Sequence, residues 1–337
     1  MPIPFRLFAF IAFTLGTLNC SGTGDESSEL LMLLVSQSNL LSSNSCADNG
    51  DIWTAHEATE SNSWQGIAFG DGRFVAVAAD GTNRVMTSTD GEIWTTPSAV
   101  PSNAWQDVTY GQGLFVALAS NGTDSVMTST DGLSWTPQSI PSIGHWHDIT
   151  YGENLFVGIR YLGANRVMTS PNGSDWTDRY TPHEIGFRDV TYGADIFVAV
   201  ASDGVSRVAT SGNGVDWAEY SAAEQNHWSG IAYGNGLFVA VSSDGTNRIM
   251  TSPDGINWTA RSAPEANQWQ EITFGNGLFV AVASDGTNRI MTSPDGINWT
   301  ARSAPEANQW RKSAFGENRF ISISDNGTHQ VMSTLCE

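Results

Sequence analysis

Side chains that could carry out catalysis gather in one stretch of the sequence, residues 145–189. Arg160 and Tyr161 are followed by Glu184 and Arg188, and Asp148 precedes all four. Arginines could bind an anionic group, a tyrosine could act as a nucleophile, and carboxylates could serve as acid and base. These residues are therefore candidates for a catalytic site.

The same stretch contains candidate metal ligands. His145 and His147 flank Trp146, and two residues apart on a strand they would point the same way, so that His183 could complete a zinc site. No spacing of a known metal motif accompanies them. These side chains depart from the 41-residue repeat described below. We interpret the departures as sequence drift in exposed loops, and we predict no cofactor.

The charge of the chain excludes one class of partner. Its 337 residues include 35 Asp plus Glu against 15 Lys plus Arg, which gives a net charge of -20, and Lys312 is its single lysine. Because the binding of phosphates depends on cationic side chains, nucleic acid is not a predicted partner. With 40% hydrophobic and 10% aromatic residues, the chain can bury a core.

The first residues are typical of an export signal. Arg6 is followed by the apolar residues 7–18, a run too short to span a bilayer comfortably, and Cys20 comes shortly after. Residues 15–20, Leu-Gly-Thr-Leu-Asn-Cys, resemble a bacterial lipoprotein signal of the leptospiral type. The resemblance implies a signal peptide at residues 1–19, lipidation of Cys20, a tether at residues 20–45 and an outer-membrane or cell-surface location. An ordinary secretory signal is the alternative.

Tryptophan recurs with one fixed period. Two series of positions repeat every 41 residues, are offset by 11 residues, and together hold all 13 tryptophans. The first series is Trp64, Trp105, Trp146, Phe187, Trp228, Trp269 and Trp310, and the second is Trp53, Trp94, Trp135, Trp176, Trp217, Trp258 and Trp299. Seven units of 41 residues therefore fill residues 51–337.

Each unit contains four short predicted strands separated by Gly, Asp and Asn turns. In the sixth unit the strands are residues 269–274, 278–283, 289–293 and 297–301. Gly-rich units without helical periodicity exclude helical repeats, and a β-solenoid remains as the structural alternative. The sequence predicts an all-β protein, a seven-bladed β-propeller of four-stranded blades over residues 46–337.

The two ends of the repeat region complete each other. The last unit stops after its third predicted strand, residues 330–334, and residues 51–54 match the fourth strand of the other units. Pairing of these segments would close the ring and leave no open edge. Cys46 and Cys336 fall at this seam, so we predict a disulfide between them, which an exported protein would permit. Two unpaired thiols are the alternative.

The turn before each fourth strand contains a Ser-x-Asp-Gly pattern followed by Trp, as in Ser-Thr-Asp-Gly-Glu-Ile-Trp at residues 88–94. Asp or Asn would cap backbone amides there and Gly would adopt a positive φ, so we predict a structural role. The pattern resembles the Asp-box, or bacterial neuraminidase repeat, of sialidase-like propellers, with one residue fewer. The resemblance implies that the boxes lie on the rim, away from an active site. The capping residues are Asp90, Asp131, Asn172, Asn213, Asp254 and Asp295.

One arginine position opens the third strand of most units. We predict that these arginines stack on a tryptophan or pair with the aspartate of the preceding turn. Alternatively they would form, together with Trp269, the equivalent sugar sites of a multivalent lectin. The arginines are Arg84, Arg166, Arg207, Arg248 and Arg289.

A non-enzymatic binding scaffold is the function that these patterns favour. Residues 244–269 recur unchanged as residues 285–310, and identical blades cannot carry distinct catalytic roles. We predict a monomeric, lipid-anchored propeller that binds a protein or a glycan outside the cytoplasm. A glycoside hydrolase of the sialidase type and a multivalent lectin are the alternatives.

Overall fold

The computed structural model describes residues 52–98, 100–163, 166–181 and 185–336, and within these ranges every regular element is a β-strand. The strands form seven antiparallel sheets that follow one another in chain order. The innermost strand of a sheet is the strand nearest the axis of the ring. The innermost strand of each sheet contacts the innermost strands of both neighbouring sheets, and the last sheet meets the first in the same way. The molecule is a seven-bladed β-propeller, so the predicted fold class is confirmed.

The strands are named in chain order. Strand β1 (Thr54–His56) precedes blade 1, which contains β2 (Trp64–Gly70), β3 (Arg73–Ala78) and β4 (Val85–Ser88). Blade 2 contains β5 (Trp105–Gly111), β6 (Leu114–Ala119), β7 (Val126–Ser129) and β8 (Thr136–Gln138). Blade 3 contains β9 (Trp146–Gly152), β10 (Leu155–Arg160), β11 (Val167–Ser170) and β12 (Thr177–Arg179). Blade 4 contains β13 (Phe187–Gly193), β14 (Ile196–Ala201), β15 (Val208–Ser211) and β16 (Ala218–Tyr220).

The remaining blades repeat this arrangement. Blade 5 contains β17 (Trp228–Gly234), β18 (Leu237–Ser242), β19 (Ile249–Ser252) and β20 (Thr259–Arg261). Blade 6 contains β21 (Trp269–Gly275), β22 (Leu278–Ala283), β23 (Ile290–Ser293) and β24 (Thr300–Arg302). Blade 7 contains β25 (Trp310–Gly316), β26 (Arg319–Ser324) and β27 (Val331–Leu335). In blade 1 the fourth strand is reduced to a single bridge between Thr87 and Thr95.

Strand β1 closes the ring by joining blade 7. It pairs antiparallel with β27, so that Thr54 lies opposite Ser333 and His56 opposite Val331. The predicted borrowing of an N-terminal strand is confirmed, although the strand begins at Thr54 and not at residue 51. Cys336 at this seam is buried and forms a disulfide. Cys46 lies outside the described residues, so its pairing with Cys336 stays a prediction.

The turns that contain the Ser-x-Asp-Gly pattern, or Asn in place of Asp, are called the box turns. They have the geometry that their residues predict. In blade 2, Asp131 Oδ1 accepts hydrogen bonds from the amides of Leu133 and Ser134, both at 2.8 Å, and Gly132 has a φ of 69°. Trp135 Nε1 donates to the carbonyl of Gly132. Since the capped amides belong to the turn, the fourth strand begins later than predicted, at Thr300 and not at residue 297 in blade 6.

An aromatic ring from the next blade packs on the glycine that ends each innermost strand. A Cβ atom on Gly70 would lie 2.1 Å from Tyr110, and one on Gly316 would lie 2.1 Å from Phe69. A side chain at these positions would push neighbouring blades apart, so glycine is required by close approach. The seven rings are Phe69, Tyr110, Tyr151, Tyr192, Tyr233, Phe274 and Phe315.

Every described residue belongs to one compact unit. The predicted signal peptide, Cys20 and the tether lie outside the described residues. In the part of the chain that the structure describes, no helix could cross a membrane.

Candidate functional site

A β-bulge stands at the second residue of the innermost strand in every blade. In β5, Trp105 pairs with Ala119 and Asp107 with Leu118, which leaves Gln106 without a partner on the neighbouring strand. Bulges bend a strand locally and change the direction of a side chain. The bulge residues are Gln65, Gln106, His147, Arg188, Ser229, Gln270 and Arg311.

All seven bulge residues line one cavity of about 460 Å³ at one end of the central channel. Asp285 from an Asp-Gly-Thr-Asn turn also lines it, so the cavity opens on the face formed by those turns. Amide, hydroxyl and guanidinium groups dominate this lining. Glu271 and Lys312 form its floor, because both also line the cavity on the other side of the channel. We call this cavity the mouth.

The floor of the mouth is an ion cluster built around Lys312. Its Nζ lies 2.7 Å from Asp148 Oδ1, 3.2 Å from Glu271 Oε2 and 3.4 Å from Asp189 Oδ1. These carboxylates come from three different blades, and each is almost completely buried. The only lysine of a strongly acidic chain therefore lies at its centre, where it neutralises carboxylates that would otherwise repel one another.

Burial and mutual repulsion make these carboxyls hard to ionise. Burial, followed by repulsion from Asp148, raises the pKa of Asp189 to about 8. Burial also raises the pKa of Asp148 to about 6 against the attraction of Lys312, and it raises the pKa of Glu271 well above its ordinary value. Burial alone would lower the pKa of Lys312, but the surrounding carboxyls raise it well above its ordinary value. The cluster therefore holds its ammonium charged, and near neutral pH Asp189 retains a proton more readily than Asp148.

The aspartates of the cluster also join neighbouring blades. Asp148 Oδ2 accepts a hydrogen bond from the amide of Val190 at 2.9 Å, and Asp189 Oδ2 accepts one from Ile231 at 2.6 Å. Asp107, one blade earlier, binds the amide of Ile149 at 3.1 Å in the same way. Each carboxylate thus satisfies a backbone donor on the innermost strand of the next blade.

The candidate catalytic residues are only partly brought together. The guanidinium of Arg188 lies over the ring of Tyr161, 4.2 Å from its centroid, at the wall of the mouth. Asp148 is on the floor and is engaged by Lys312 and a backbone amide. Arg160 is buried away from the mouth, 4.9 Å from the centroid of Trp146. Glu184 lies outside the described residues.

Two of the departures from the repeat in blades 3 and 4, Arg160 and Tyr161, are each matched by a glycine elsewhere in the chain, so for these two residues the interpretation as drift in exposed loops is wrong. A Cβ atom on Gly144 would lie 2.3 Å from Nη1 of Arg160. A Cβ atom on Gly186 would lie 2.2 Å from Cε2 of Tyr161. Each large side chain thus occupies space that a glycine leaves empty. A side chain at either glycine position would overpack this region and destabilise the fold.

The candidate metal ligands separate at the start of β9. His145 precedes the strand and is exposed, whereas His147 is the bulge residue and lines the mouth, so the prediction that they point the same way is wrong. Burial and the nearby Arg188 lower the pKa of His147 to about 4, which keeps its imidazole neutral. His183 lies outside the described residues, and among those described no group of His, Cys, Asp and Glu could hold a metal ion.

The repeated arginines and Trp269 are engaged by the fold. Arg248 Nη1 donates to the carbonyls of Ser243 and Asn267, at 3.1 and 2.7 Å, and so ties a turn to the connector of the next blade. The predicted pairing with turn aspartates is replaced by this contact, since Asp244 accepts a hydrogen bond from the amide of His227. Trp269 is 0% exposed and does not lie on a ligand face. The other arginines, Arg84, Arg166, Arg207 and Arg289, also donate to backbone carbonyls.

No protein-family model and no curated protein sequence matches the chain. Its fold is similar to that of virginiamycin B lyase from Staphylococcus aureus, in a structure of a catalytically inactive variant with quinupristin. The sequence identity is 14% and the TM-score is 0.74, and the match covers 84% of this chain and 99% of that one. It is similar to YCF48 bound to a D1 peptide, at 14% identity and a TM-score of 0.67, covering 85% and 95%.

YCF48 from Cyanidioschyzon merolae is a further similar structure, at 16% identity and a TM-score of 0.64, covering 84% of this chain and 98% of that one. Identities this low show a shared fold alone. The comparisons therefore place the chain among seven-bladed propellers.

Sequence reasoning missed the ion cluster and the ring of bulge residues. The signal was present in the 41-residue period, because the third residue of each innermost strand changes type from blade to blade, whereas the first residue is always aromatic and the fourth is mostly Ile or Val. In chain order these residues are Gly66, Asp107, Asp148, Asp189, Gly230, Glu271 and Lys312. A series that mixes Gly, acid and one Lys at a fixed position indicates side chains that meet at the axis of the propeller.

Proposed function

We propose that this propeller is a binding protein that holds a polar segment of a partner protein in the mouth. The observation that carries the proposal is the ring of bulge residues, in which all seven blades direct an amide, hydroxyl, imidazole or guanidinium group to one cavity. Such groups donate or accept hydrogen bonds, and a few convergent polar groups are what orient a ligand.

A protein ligand is better supported than a glycan. The lectin alternative depended on Trp269 and Arg289, but the first is buried and the second donates to backbone carbonyls of the next connector. Of the similar structures, YCF48 is described as bound to a peptide. Shared fold does not transfer function, so the mouth itself has to carry the proposal.

Hydrolysis by the candidate catalytic residues is less well supported. Tyr161 is covered by the guanidinium of Arg188, and Asp148 is held by Lys312 and by the amide of Val190. A nucleophile and an acid need to approach the same substrate bond from accessible positions. Neither residue has that freedom in this arrangement.

A substitution that fills the mouth with a large side chain tests the proposal. Peptides selected from a random displayed library on the full chain should bind it, and Gln106→Trp, which fills the mouth, should weaken binding by at least about tenfold. Ser174→Trp is the control, because Ser174 lies in a box turn on the opposite face, where the equivalent residues include exposed Leu133 and Ile256. Failure to select any peptide would contradict the proposal, as would turnover of a fluorogenic sialoside that Tyr161→Phe abolishes.

We also propose that the protein is exported and anchored through a lipid on Cys20. The apolar residues 7–18 before Cys20 support this, and so does the disulfide at Cys336, since disulfides persist in oxidising compartments. In cells, labelled palmitate should enter the wild-type chain but not Cys20→Ser, and the variant should leave the detergent phase on phase separation. A Cys20→Ser chain that stays in the detergent phase would contradict the anchor.

A further inference from the structure

Large exposed apolar side chains on the face of the mouth come from blades 3 and 4 alone among the described residues. Ile143 is 66% exposed, Leu162 is 52%, Tyr180 is 72% and Val205 is 87%. The other exposed side chains of this kind lie at the box turns of the opposite face or at the ends of the repeat region. They are Ile52, Ile93, Leu133, Ile256, Ile297 and Leu335. We call the four residues on the mouth face the apolar patch.

Three of these residues replace mostly polar ones at fixed positions of the repeat. Leu162 stands where the other units have Asp80, Asn121, Asp203, Asp244, Asp285 and Asn326. Tyr180 stands where they have Glu57, Ser98, Ser139, Ser221, Ser262 and Ser303. Val205 stands where five of them have a threonine, namely Thr82, Thr123, Thr246, Thr287 and Thr328. The fold tolerates a polar residue at each position, so it does not require the apolar patch.

Three members of the patch stand at or beside repeat positions that lie around one turn in blade 6. In blade 6, the turn residue Asn288 is bound by Glu265 of the connector before the blade and by Ser303 of the connector after it, at 3.2 and 2.9 Å. The 41-residue period places Ile143 next to the first of these connector positions in blade 3, and Tyr180 at the second. Leu162 begins the turn between them. Ser142 of the connector before blade 3 also donates a hydrogen bond to Asp178 of β12, the strand that precedes Tyr180.

The patch borders the mouth at the Tyr161 side chain, which precedes Leu162 and lies beneath Arg188. The described contacts of the Arg188 side chain are with uncharged groups: Nε donates to Ser202 Oγ at 2.9 Å, and Nη1 lies 3.5 Å from His147 Nε2. The other arginine of the mouth, Arg311, pairs with Asp325 at 2.5 Å. Among the described residues, Arg188 is therefore a cation without an ion-pair partner, and it lies on Tyr161, whose neighbour in the chain is the exposed Leu162.

We propose that blades 3 and 4 form the recognition side of the mouth, which takes a partner-protein segment with a carboxylate beside a large apolar side chain. The carboxylate would bind the guanidinium of Arg188, a charge-assisted pairing that is stronger than a neutral hydrogen bond. The apolar side chain would cover Leu162 and Tyr180, and exposed apolar surface of this kind commonly marks a protein contact. The inference rests on the proposed function, of which it specifies the partner.

Reversion to the repeat residues tests this inference. The triple variant Leu162→Asp, Tyr180→Ser and Val205→Thr installs the side chains that other blades carry, and its folding can be verified by circular dichroism. Peptides selected from a random displayed library on the full wild-type chain should contain Asp, Glu or a free carboxyl terminus near Phe, Leu, Ile or Trp. Both the triple variant and Arg188→Gln should weaken their binding by at least about tenfold in a fluorescence titration.

A matched control uses the opposite face of the propeller. Ile256→Ser with Ile297→Ser removes apolar surface from two box turns, where these residues are 39% and 40% exposed, and should leave binding unchanged. Peptides that bind the mouth, lose affinity with Gln106→Trp and ignore the triple variant would overturn this inference while leaving the proposed function intact. Selected peptides without an acidic group would overturn it as well. If no peptide is selected, the proposed function fails together with this inference.

Discussion

The aromatic ring of Tyr161 fills the space that a side chain on Gly186 would need. A Cβ atom at that glycine would lie 2.2 Å from Cε2 of the ring, closer than any real contact of this kind. Elsewhere in the repeat the position of Gly186 carries a side chain and the position of Tyr161 is mostly small, as in Gln268 with Ser284. The two departures from the repeat therefore depend on each other.

Replacement of Gly186 should reveal this dependence. Gly186→Ala should lower the free energy of unfolding by about 1–3 kcal/mol, because the added methyl group overpacks against the ring. In a chain that also carries Tyr161→Ser, the same change should cost much less. Urea unfolding of the four chains gives the coupling as a double-mutant cycle. Additive costs would contradict the contact.

Gly212→Ala is the control for that experiment. A Cβ atom at Gly212 would meet nothing within 4 Å, and its φ is not in the left-handed region. The change should be neutral or stabilise the protein by up to about 1 kcal/mol, since it restricts the unfolded chain. Loss of stability at Gly212 would show that the chain is sensitive to any such substitution.

Removal of the central ammonium should be strongly destabilising. Lys312→Met leaves Asp148, Asp189 and Glu271 without their counter-charge, and breaking a buried ion network in this way costs about 3–5 kcal/mol. The loss should be smaller in acid, where the carboxyls take up protons. Combining Lys312→Met with Asp189→Asn should recover part of it at neutral pH. A Lys312→Met protein as stable as the wild type would contradict the cluster.

The cluster should also make stability depend on pH. The pKa of Asp189 is raised from 3.8 to about 8 and that of Asp148 to about 6, first because both are buried. A raised carboxyl pKa means that the folded state binds more protons than the unfolded state, so its contribution to stability is complete below pH 4 and is lost as pH rises to about 8. Melting temperatures of Asp189→Asn, measured from pH 5 to 8, should fall less with rising pH than those of the wild type. Parallel curves would contradict this assignment.

The box turns should tolerate Asn but not Ala. Asn172 and Asn213 cap two amides each through Oδ1 at 2.9 to 3.0 Å, as Asp131 does through a carboxylate. Asp131→Asn should therefore be nearly neutral, whereas Asp131→Ala should cost about 1–2 kcal/mol because two donors lose their acceptor. Equal losses for the two variants, measured by urea unfolding, would contradict the capping role.

The seam between the ends of the repeat region can be tested through Cys336. Cys336→Ser should lower the free energy of unfolding by roughly 4–5 kcal/mol, less any strain that the native disulfide carries. Mass spectrometry of the unreduced wild-type protein should show a crosslink between peptides that contain Cys46 and Cys336. Two titratable thiols in the folded protein would contradict the predicted pairing.

The sequence was sufficient for the fold because the fold is periodic. Trp269 and its counterparts fix the length of the unit, and the turn residues Asp295 and Gly296 fix where two strands meet. The fourth strands were placed too early, since the turn of blade 6 extends through Trp299 by capping backbone amides.

The site was harder to predict because it depends on departures from the period. Arg160 and Tyr161 differ visibly from their counterparts in the other units. The glycines that accommodate them, Gly144 and Gly186, lie 16 and 25 positions away along the chain. The bulge at His147 also changes the alternation of side chains on which the proposed histidine pair depended. Such distant compensation becomes visible only when the blades are placed around a common axis.

The borrowed strand β1 has a consequence for the order in which the molecule can be made. His56 Nε2 lies 2.8 Å from Ser333 Oγ, across 277 positions of the chain. During synthesis the fourth strand of blade 7 is produced first, and the sheet that it completes is produced last. Contacts this distant in sequence form slowly, and until they form two strand edges stay open. The ring therefore cannot close until β27 has been released, and a chain truncated before β27 would keep β1 unpaired.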